Sequence, residues 1–287
     1  MIDSNMQKEK ALQFHKLHHT GKMLVLPNIW DTLGAALLES LAYPAIATAS
    51  MSIAFTNGYN DGENLPFNDL LSLLKKISAS VNVPVTADIE SGYAVDDSHL
   101  QKNIELLIET GIVGINIEDT DTKTNTLYPV EIQCNRIRLI RKVAKEMDIP
   151  IFINARTDVF LCGKDFSTPE SKFDEIVKRG LAYKEAGADC FFPMFLKEQN
   201  DILRLVSQLQ MPINILIIPG IPDLDTLNKM GVARVSLGPS FLKIAVKTMK
   251  NLALQLKNYE GLKEITENEI TVDYLKTLVN KKNNTVI

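Results

Sequence analysis

Cysteine is scarce in this chain: Cys134, Cys162 and Cys190 are the only three among 287 residues. They are odd in number, and no Cys-x-x-Cys or Cys/His ligand spacing joins them. That excludes a disulfide framework and reads as reduced thiols in a cytoplasmic protein. Histidine is nearly as sparse, with four residues. His15, His18 and His19 share an N-terminal helical stretch, where a surface position is expected, and His99 opens a helix; no cluster suits zinc. There is no excess of positive charge, since 31 Lys and Arg stand against 35 Asp and Glu for a net charge of −4. A nucleic-acid footprint is therefore missing. No window approaches the ~20 consecutive apolar residues of a membrane span. The polar start "MIDSNMQKEK" is unlike a secretory signal. No linker or low-complexity segment divides the chain, and the Lys-rich tail at 279–284 is expected to be a solvated end.

What is present is a rhythm. Short apolar runs rich in Ile and Val occur at 23–27, 45–49, 84–88, 114–118, 151–156, 190–194, 213–219 and 233–238. Such runs suit parallel strands covered on their outer side. Between them lie helical patterns such as "LQKNIELLIETG", with apolar residues recurring at three and four. "ETGIVGINIE", "EAGADCFFP" and "KMGVARVSLG" each end a helix on Gly, where left-handed backbone is favoured, and then enter a strand. Eight strands alternating with helices predict a (β/α)8 barrel over 1–258. A helical extension is expected over 259–287.

In such a barrel, alternate strand residues face the interior. Thr86, Asp88 and Glu90 then share a face on the third strand, Asn116 and Glu118 on the fourth, and Asn154, Arg156 and Asp158 on the fifth. The charges gather at the C-terminal strand ends, where barrel enzymes keep their sites. Two unit charges 4 Å apart at an effective dielectric near 20 interact by roughly 4 kcal/mol, so converging carboxylates need protons, an arginine or a cation. Arg156 offsets one. An all-oxygen set with few carboxylates suits hydrated Mg²⁺ for the rest.

With those residues in place, the sequence resembles the isocitrate lyase/phosphoenolpyruvate mutase superfamily, in its short, bacterial mutase-like branch. The resemblance is carried by "PNIWDTLGAALLESLAYPAIATAS" (27–50), "GYNDGE" (58–63), "PVTADIESGY" (84–93), "GINIED" (114–119), "INARTDVF" (153–160), "AGADCFFP" (186–193) and "GVARVSLGP" (231–239). It implies an α/β barrel and a homotetramer built as a dimer of dimers, with a C-terminal helix swapped between subunits. It implies Mg²⁺ held largely through water by Asp61, Asp88, Glu90 and Glu118. It implies, too, a small α-oxo acid or phosphonate substrate. Backbone N–H groups of Ala49, Ser50 and Met51 would hold its carboxylate, and Arg156 its second anionic group.

The loop after the fourth strand decides the reaction in that family. Here it reads "EDTDTKTNTLYP" (118–129), without the cysteine that serves cysteine-dependent lyases as general acid. "KTNT" (123–126) resembles the gating loop of phosphoenolpyruvate mutase and phosphonopyruvate hydrolase, which implies phosphoryl contacts for Lys123 and Asn125. "ATASM" after the second strand departs from the mutase pattern. The leading expectation is a Mg²⁺ enzyme that cleaves or rearranges a C–C or P–C bond through a pyruvate enolate. An oxaloacetate decarboxylase or a cysteine-free (methyl)isocitrate lyase is the alternative. A non-catalytic oxo-acid-binding barrel and a pyruvate-dependent aldolase are the other two.

Overall fold

Residues Leu24–Leu26 and Asn28–Ile29 form one strand, β1, broken at Pro27, and the break lets the sheet close. Proline has no N–H to give to a ladder, so the two halves serve different neighbours. The first pairs in parallel with the last strand, β8 (Arg234–Ser236), and the second with β2 (Ile46–Thr48). From β2 the parallel ladder passes to β3 (Val85–Asp88), β4 (Gly114–Glu118), β5 (Phe152–Thr157) and β6 (Cys190–Pro193). A bridge from Phe191 to Ile213 carries it to β7 (Asn214–Leu216), which pairs with β8. The (β/α)8 barrel expected from the sequence is borne out in this computed structural model, which describes residues 3–279. Apart from Val279, the Lys-rich tail lies outside the described residues.

The helix-to-strand junctions are built as their sequences imply. Gly111, Gly187 and Gly231 have φ of 90°, 108° and 85°, the left-handed conformation that ends a helix and turns the chain into β4, β6 and β8. Outside the barrel, Leu74, Ile77, Leu100, Ile104, Leu107, Ile137 and Ile140 are fully or almost fully buried against the outward Val85, Ala87, Ile115 and Ile117. Among the described residues, no helix is long and apolar enough to cross a membrane.

The barrel's lower end is closed by the helix Ser4–Leu17. Its Ala11 and Phe14 are completely buried with Leu26, Ala45, Val113 and Phe152. Gln7 fastens it by donating to the carbonyls of Ile108 (2.8 Å) and Ile112 (2.9 Å). This corrects the expectation for one histidine. His18 is buried, stacked on Phe152 with ring centroids 4.0 Å apart, and burial beside Arg234 holds its imidazole down at about 3. A helix lying across the barrel's lower end buries a stripe that looks like surface when read along one turn.

Two further differences matter for the site. The run 213–219 leaves the ladder after Leu216, freeing Ile217 and Ile218 for the upper rim. β3 ends at Asp88, and Glu90 sits in a turn with φ of 51°. Strand alternation therefore does not extend to Glu90, and the two acids do not share a face in the way an unbroken strand would impose.

Candidate active site

At the C-terminal ends of the strands lies a cavity of about 420 Å³. Ala49, Ser50, Met51, Asp61, Asp88 and Arg156, all singled out from the sequence, line one side together with the inward Asn116. The rest of the lining is mixed, with Phe192, Leu216, Ile217, Ile218, Leu237 and Pro239 beside Ser236, Ser240 and Lys243.

Asp88 is placed by its own strand and its neighbour. Its backbone N–H donates to Thr48 Oγ1 at 3.1 Å. Its Oδ2 accepts from the hydroxyl of Ser50 at 2.8 Å and from the Ser50 N–H at 3.2 Å, while its Oδ1 is buried without a partner. Asp61, brought over from the loop after β2, likewise keeps a buried, unpartnered Oδ1. Burial first, and the neighbouring Asp88 second, push its carboxyl above the usual range. Of the three backbone donors expected to hold a carboxylate, two are already engaged, Ala49 N–H with the Ile29 carbonyl at 3.2 Å and Ser50 N–H with Asp88 Oδ2. Ser50 and Met51 open the short helix Ser50–Thr56 at the cavity wall.

Arg156 is held rather than free. Its Nε and Nη2 donate to the two oxygens of Asp158 at 2.7 and 2.9 Å, and its Nη1 reaches Glu118 Oε2 at 2.7 Å. Of the five N–H donors of a guanidinium, about two remain for the cavity. Glu118 is thus Arg156's partner and does not line the cavity. Burial drives its carboxyl well above the usual range, against the pull of Arg156. Beneath this pair, the fully buried Asp119 accepts from Arg179 (2.9 Å), Tyr183 (2.7 Å) and Thr157 (2.7 Å). Asp119 and Asp158 hold the site in place.

Glu90 has both of its carboxylate oxygens engaged by neighbouring loop residues. Its Oε2 accepts from the N–H groups of Gly62 and Glu63, both at 2.6 Å, and Tyr93 Oη donates to its Oε1 at 2.9 Å. Burial, followed by Asp61 and Asp88, pushes its carboxyl up to about 7.

Among the described residues, no three His, Cys, Asp or Glu side chains stand together as a direct metal-binding group. Of the four expected acids, Asp61 and Asp88 present bare oxygens, whereas Glu90 and Glu118 have theirs engaged. Two hard, unpaired carboxylate oxygens on one polar wall fit a cation that keeps most of its own water, as Mg²⁺ does. The charge balance agrees. Asp61, Asp88, Glu118 and Asp158 interact with Arg156, Asp88 also with the buried Arg234, and Glu90 adds its charge beside Asp61 and Asp88.

Lys123 and Asn125 do not line this cavity. They lie in the tip between the short strands Thr120–Asp121 and Thr126–Leu127. Lys123 lines a separate hollow of about 300 Å³ with Glu63, Ser91, Tyr93 and Tyr128. Asn125, at φ 53°, accepts from Cys162 Sγ at 3.4 Å.

The sequence reading missed Asn28, Phe192 and Lys243, which also line the cavity. Asn28 Oδ1 accepts from the N–H groups of Leu237 (2.8 Å) and Gly238 (3.0 Å), and its Nδ2 donates to the Thr48 carbonyl (2.8 Å), lacing β1 to the loops beside it. Alternation along 190–194, applied as it was to β3–β5, would have turned Phe192 inward. Nothing in the local pattern marks Lys243, which arrives on the helix after β8.

A closed parallel barrel with acids, a clamped arginine and a helix start around one mouth cavity has the layout of a barrel enzyme. The chain belongs to the isocitrate lyase/phosphoenolpyruvate mutase superfamily, a family of lyases and mutases: the phosphoenolpyruvate phosphomutase family profile matches residues 14–257. An uncharacterised protein of Mycobacterium tuberculosis is 30% identical over 227 residues, 79% of this chain and 82% of that one. A solved candidate phosphonomutase of Burkholderia cenocepacia superposes with a TM-score of 0.82 at 34% identity, covering 87% of this chain and 99% of that one. A phosphonopyruvate hydrolase solved with oxalate and Mg²⁺ has the same fold, with a TM-score of 0.81 at 20% identity over 96% of both chains.

Proposed function

We propose that the protein is a Mg²⁺-dependent lyase that breaks a bond beside the carbonyl of a small α-oxo acid, or of a compound that cleaves to one, through a pyruvate enolate. The observation that carries this reading is the pair of buried, unpartnered oxygens on Asp61 and Asp88 in one cavity with Arg156. Asp88 and Asp61 would hold the cation, with Glu118 and Glu90 behind them. Bound there, Mg²⁺ would supply Lewis-acid stabilisation of the charge that develops on the enolate oxygen.

The chain's own groups supply the rest. The two free N–H groups of Arg156 form a fixed fork for an anionic group, since Glu118 and Asp158 prevent the guanidinium from swinging. The Met51 N–H at the start of the helix Ser50–Thr56 is placed to meet a carboxylate, while the Ser50 N–H is already bonded to Asp88 Oδ2. The apolar side chains of Phe192, Leu216 and Leu237 in the lining limit the water beside the bond to be broken.

C–C cleavage is favoured over P–C cleavage, because neither Lys123 nor Asn125, the residues expected to contact a phosphoryl group, lines the cavity. Phosphoenolpyruvate mutase or phosphonopyruvate hydrolase chemistry is the second reading, and it requires the 120–127 hairpin to swing inward. Oxaloacetate, methylisocitrate and phosphonopyruvate, each incubated with the protein with and without Mg²⁺, discriminate between the two when pyruvate, phosphate and phosphoenolpyruvate are followed. Pyruvate without phosphate, dependent on Mg²⁺, is expected. Oxalate binding without turnover of any of the three would instead make the barrel a sensor.

The same proposal includes a dimer of dimers. The helix Ser240–Lys257 buries no side chain, which suits a swapped arm that packs on another copy. A cytoplasmic location fits the three buried, unpaired cysteines.

A further inference from the structure

Two loops at the mouth hold each other through carboxylates. Glu90, after β3, accepts the backbone N–H groups of Gly62 and Glu63 at 2.6 Å each. Glu63, after β2, returns the contact: its Oε1 accepts Tyr93 N–H at 2.6 Å and Ser91 Oγ at 2.7 Å. Tyr93 Oη closes the ring on Glu90 Oε1 at 2.9 Å. Each acid therefore satisfies the backbone of the other's loop. Charge-assisted bonds of this kind are among the strongest a side chain makes.

The backbone in both loops needs such support. Glu63, Glu90 and Tyr93 all have left-handed φ, of 59°, 51° and 54°, although none is glycine. Residues persist in that region where the surroundings hold them. One loop is the fixed member: Arg136 donates to the Ser91 carbonyl, and Asn103 Nδ2 donates to the carbonyls of Gly92 (3.1 Å) and Tyr93 (2.7 Å). In the facing loop, Asn64 closes a local turn onto the Asp61 carbonyl at 2.9 Å, and ties to the fixed member run through Glu63 and Glu90. Asp61, one residue before the clamped N–H groups, is the member of that loop whose bare carboxylate oxygen reaches the cavity.

We propose that Glu63 and Glu90 form a reciprocal clamp that positions Asp61, so that Glu90 is a positioning residue and not a metal ligand. The clamp's bearing on catalysis rests on the reading of Asp61 as a cation-holding residue; the clamp itself does not. A weaker tie from Thr122 Oγ1 to Glu63 Oε2, 3.3 Å long, joins the 120–127 hairpin to the same unit.

Amide exchange on the metal-free protein tests the clamp without reference to activity. Glu90→Asp keeps the charge but shortens the reach. It is expected to speed exchange at Gly62 and Glu63 by on the order of tenfold, with the amides of β4 still protected. Glu63→Gln is expected to speed exchange at Tyr93 and, through the lost partner, at Gly62. In a Mg²⁺ titration followed by calorimetry, both variants are expected to lose affinity in parallel, although Glu63 does not line the cavity. Tyr93→Phe, which removes the outermost tie alone, should give a smaller effect in the same direction and serves if Glu90→Asp fails to fold. Unchanged exchange at Gly62 and Glu63 in Glu90→Asp, with Mg²⁺ affinity lost in that variant only, would overturn the proposal. It would make Glu90 a ligand. If neither variant nor the wild type binds Mg²⁺ while the exchange changes occur, the clamp stands and the metal reading fails.

Discussion

At the scale of single residues, the mouth is decided by which carboxyls are satisfied. Glu90 carries its proton to about 7 because it is buried and faces Asp61 and Asp88, against an ordinary 4.5. The folded pKa lies above the unfolded one, so the folded state holds the proton longer. Unfolding then becomes easier as pH rises through that window and levels off above about 7. A single group shifted this far contributes roughly 3 kcal/mol across the window. Urea midpoints of the metal-free protein at pH 5 and 7.5 should show the fall, and Glu90→Gln should flatten it. A slope unaffected by that substitution would assign the titration elsewhere. Arg156 is the other residue whose neighbours fix its behaviour. Replacing it with Ala strands Glu118 and Asp158 together, so a loss of about 3 kcal/mol in stability is expected beside the loss of turnover. Arg156→Lys keeps the charge without the fork and should lower kcat/KM on the order of a hundredfold with a smaller drop in Tm. Wild-type kinetics in Arg156→Lys would remove the fork from the mechanism.

At the scale of elements, the hairpin of Thr120–Asp121 and Thr126–Leu127 separates the two chemistries. Asn125 has φ of 53°, so Asn125→Ala adds backbone strain to the loss of the amide, whereas Asn125→Gly removes the amide alone. For C–C cleavage, Asn125→Gly should keep kcat/KM within about threefold, the scale of an exposed change away from the chemistry. Collapse of turnover with phosphonopyruvate as substrate would restore the phosphoryl reading. The strands themselves were legible, because an Ile- and Val-rich run covered by helices leaves the same trace wherever it lies. Asp88, Asn116 and Arg156 followed from alternation along β3, β4 and β5. Glu90 did not, because the turn that carries it begins one residue past β3, and pattern does not reveal where a strand stops. His18 was misplaced for a related reason: burial against the barrel's lower end depends on tertiary contact with Phe152, not on helical period. The pairing of Glu63 with Tyr93 joins loops 30 residues apart, and no local signal records it.

At the scale of the whole molecule, the barrel satisfies itself and the segment after it does not. Along Ser240–Lys257, Leu242, Val246, Met249, Ala253 and Leu256 recur at spacings of four and three, the seam of a packed helix. Yet no side chain of that helix is buried, and Val246, Met249 and Leu256 are 49%, 61% and 45% exposed. Further along, Val272–Val279 returns to the barrel and packs on Thr32–Ser40, with Leu278 buried, so the segment has its own means of docking. An apolar seam left open between two anchored ends is best covered by a second copy of the same seam, since closed symmetric pairing leaves no sticky surface. Sedimentation at micromolar concentration should therefore show an oligomer for the wild type. Val246→Asp combined with Met249→Asp should shift it to the monomer, because each charge would have to enter the apolar contact unpaired. The barrel's own core lies apart from this seam, so circular dichroism of the double variant should retain the wild-type spectrum. A monomeric wild type would leave the seam uncovered and defeat the pairing, and an unchanged oligomer in the double variant would move the interface to another face.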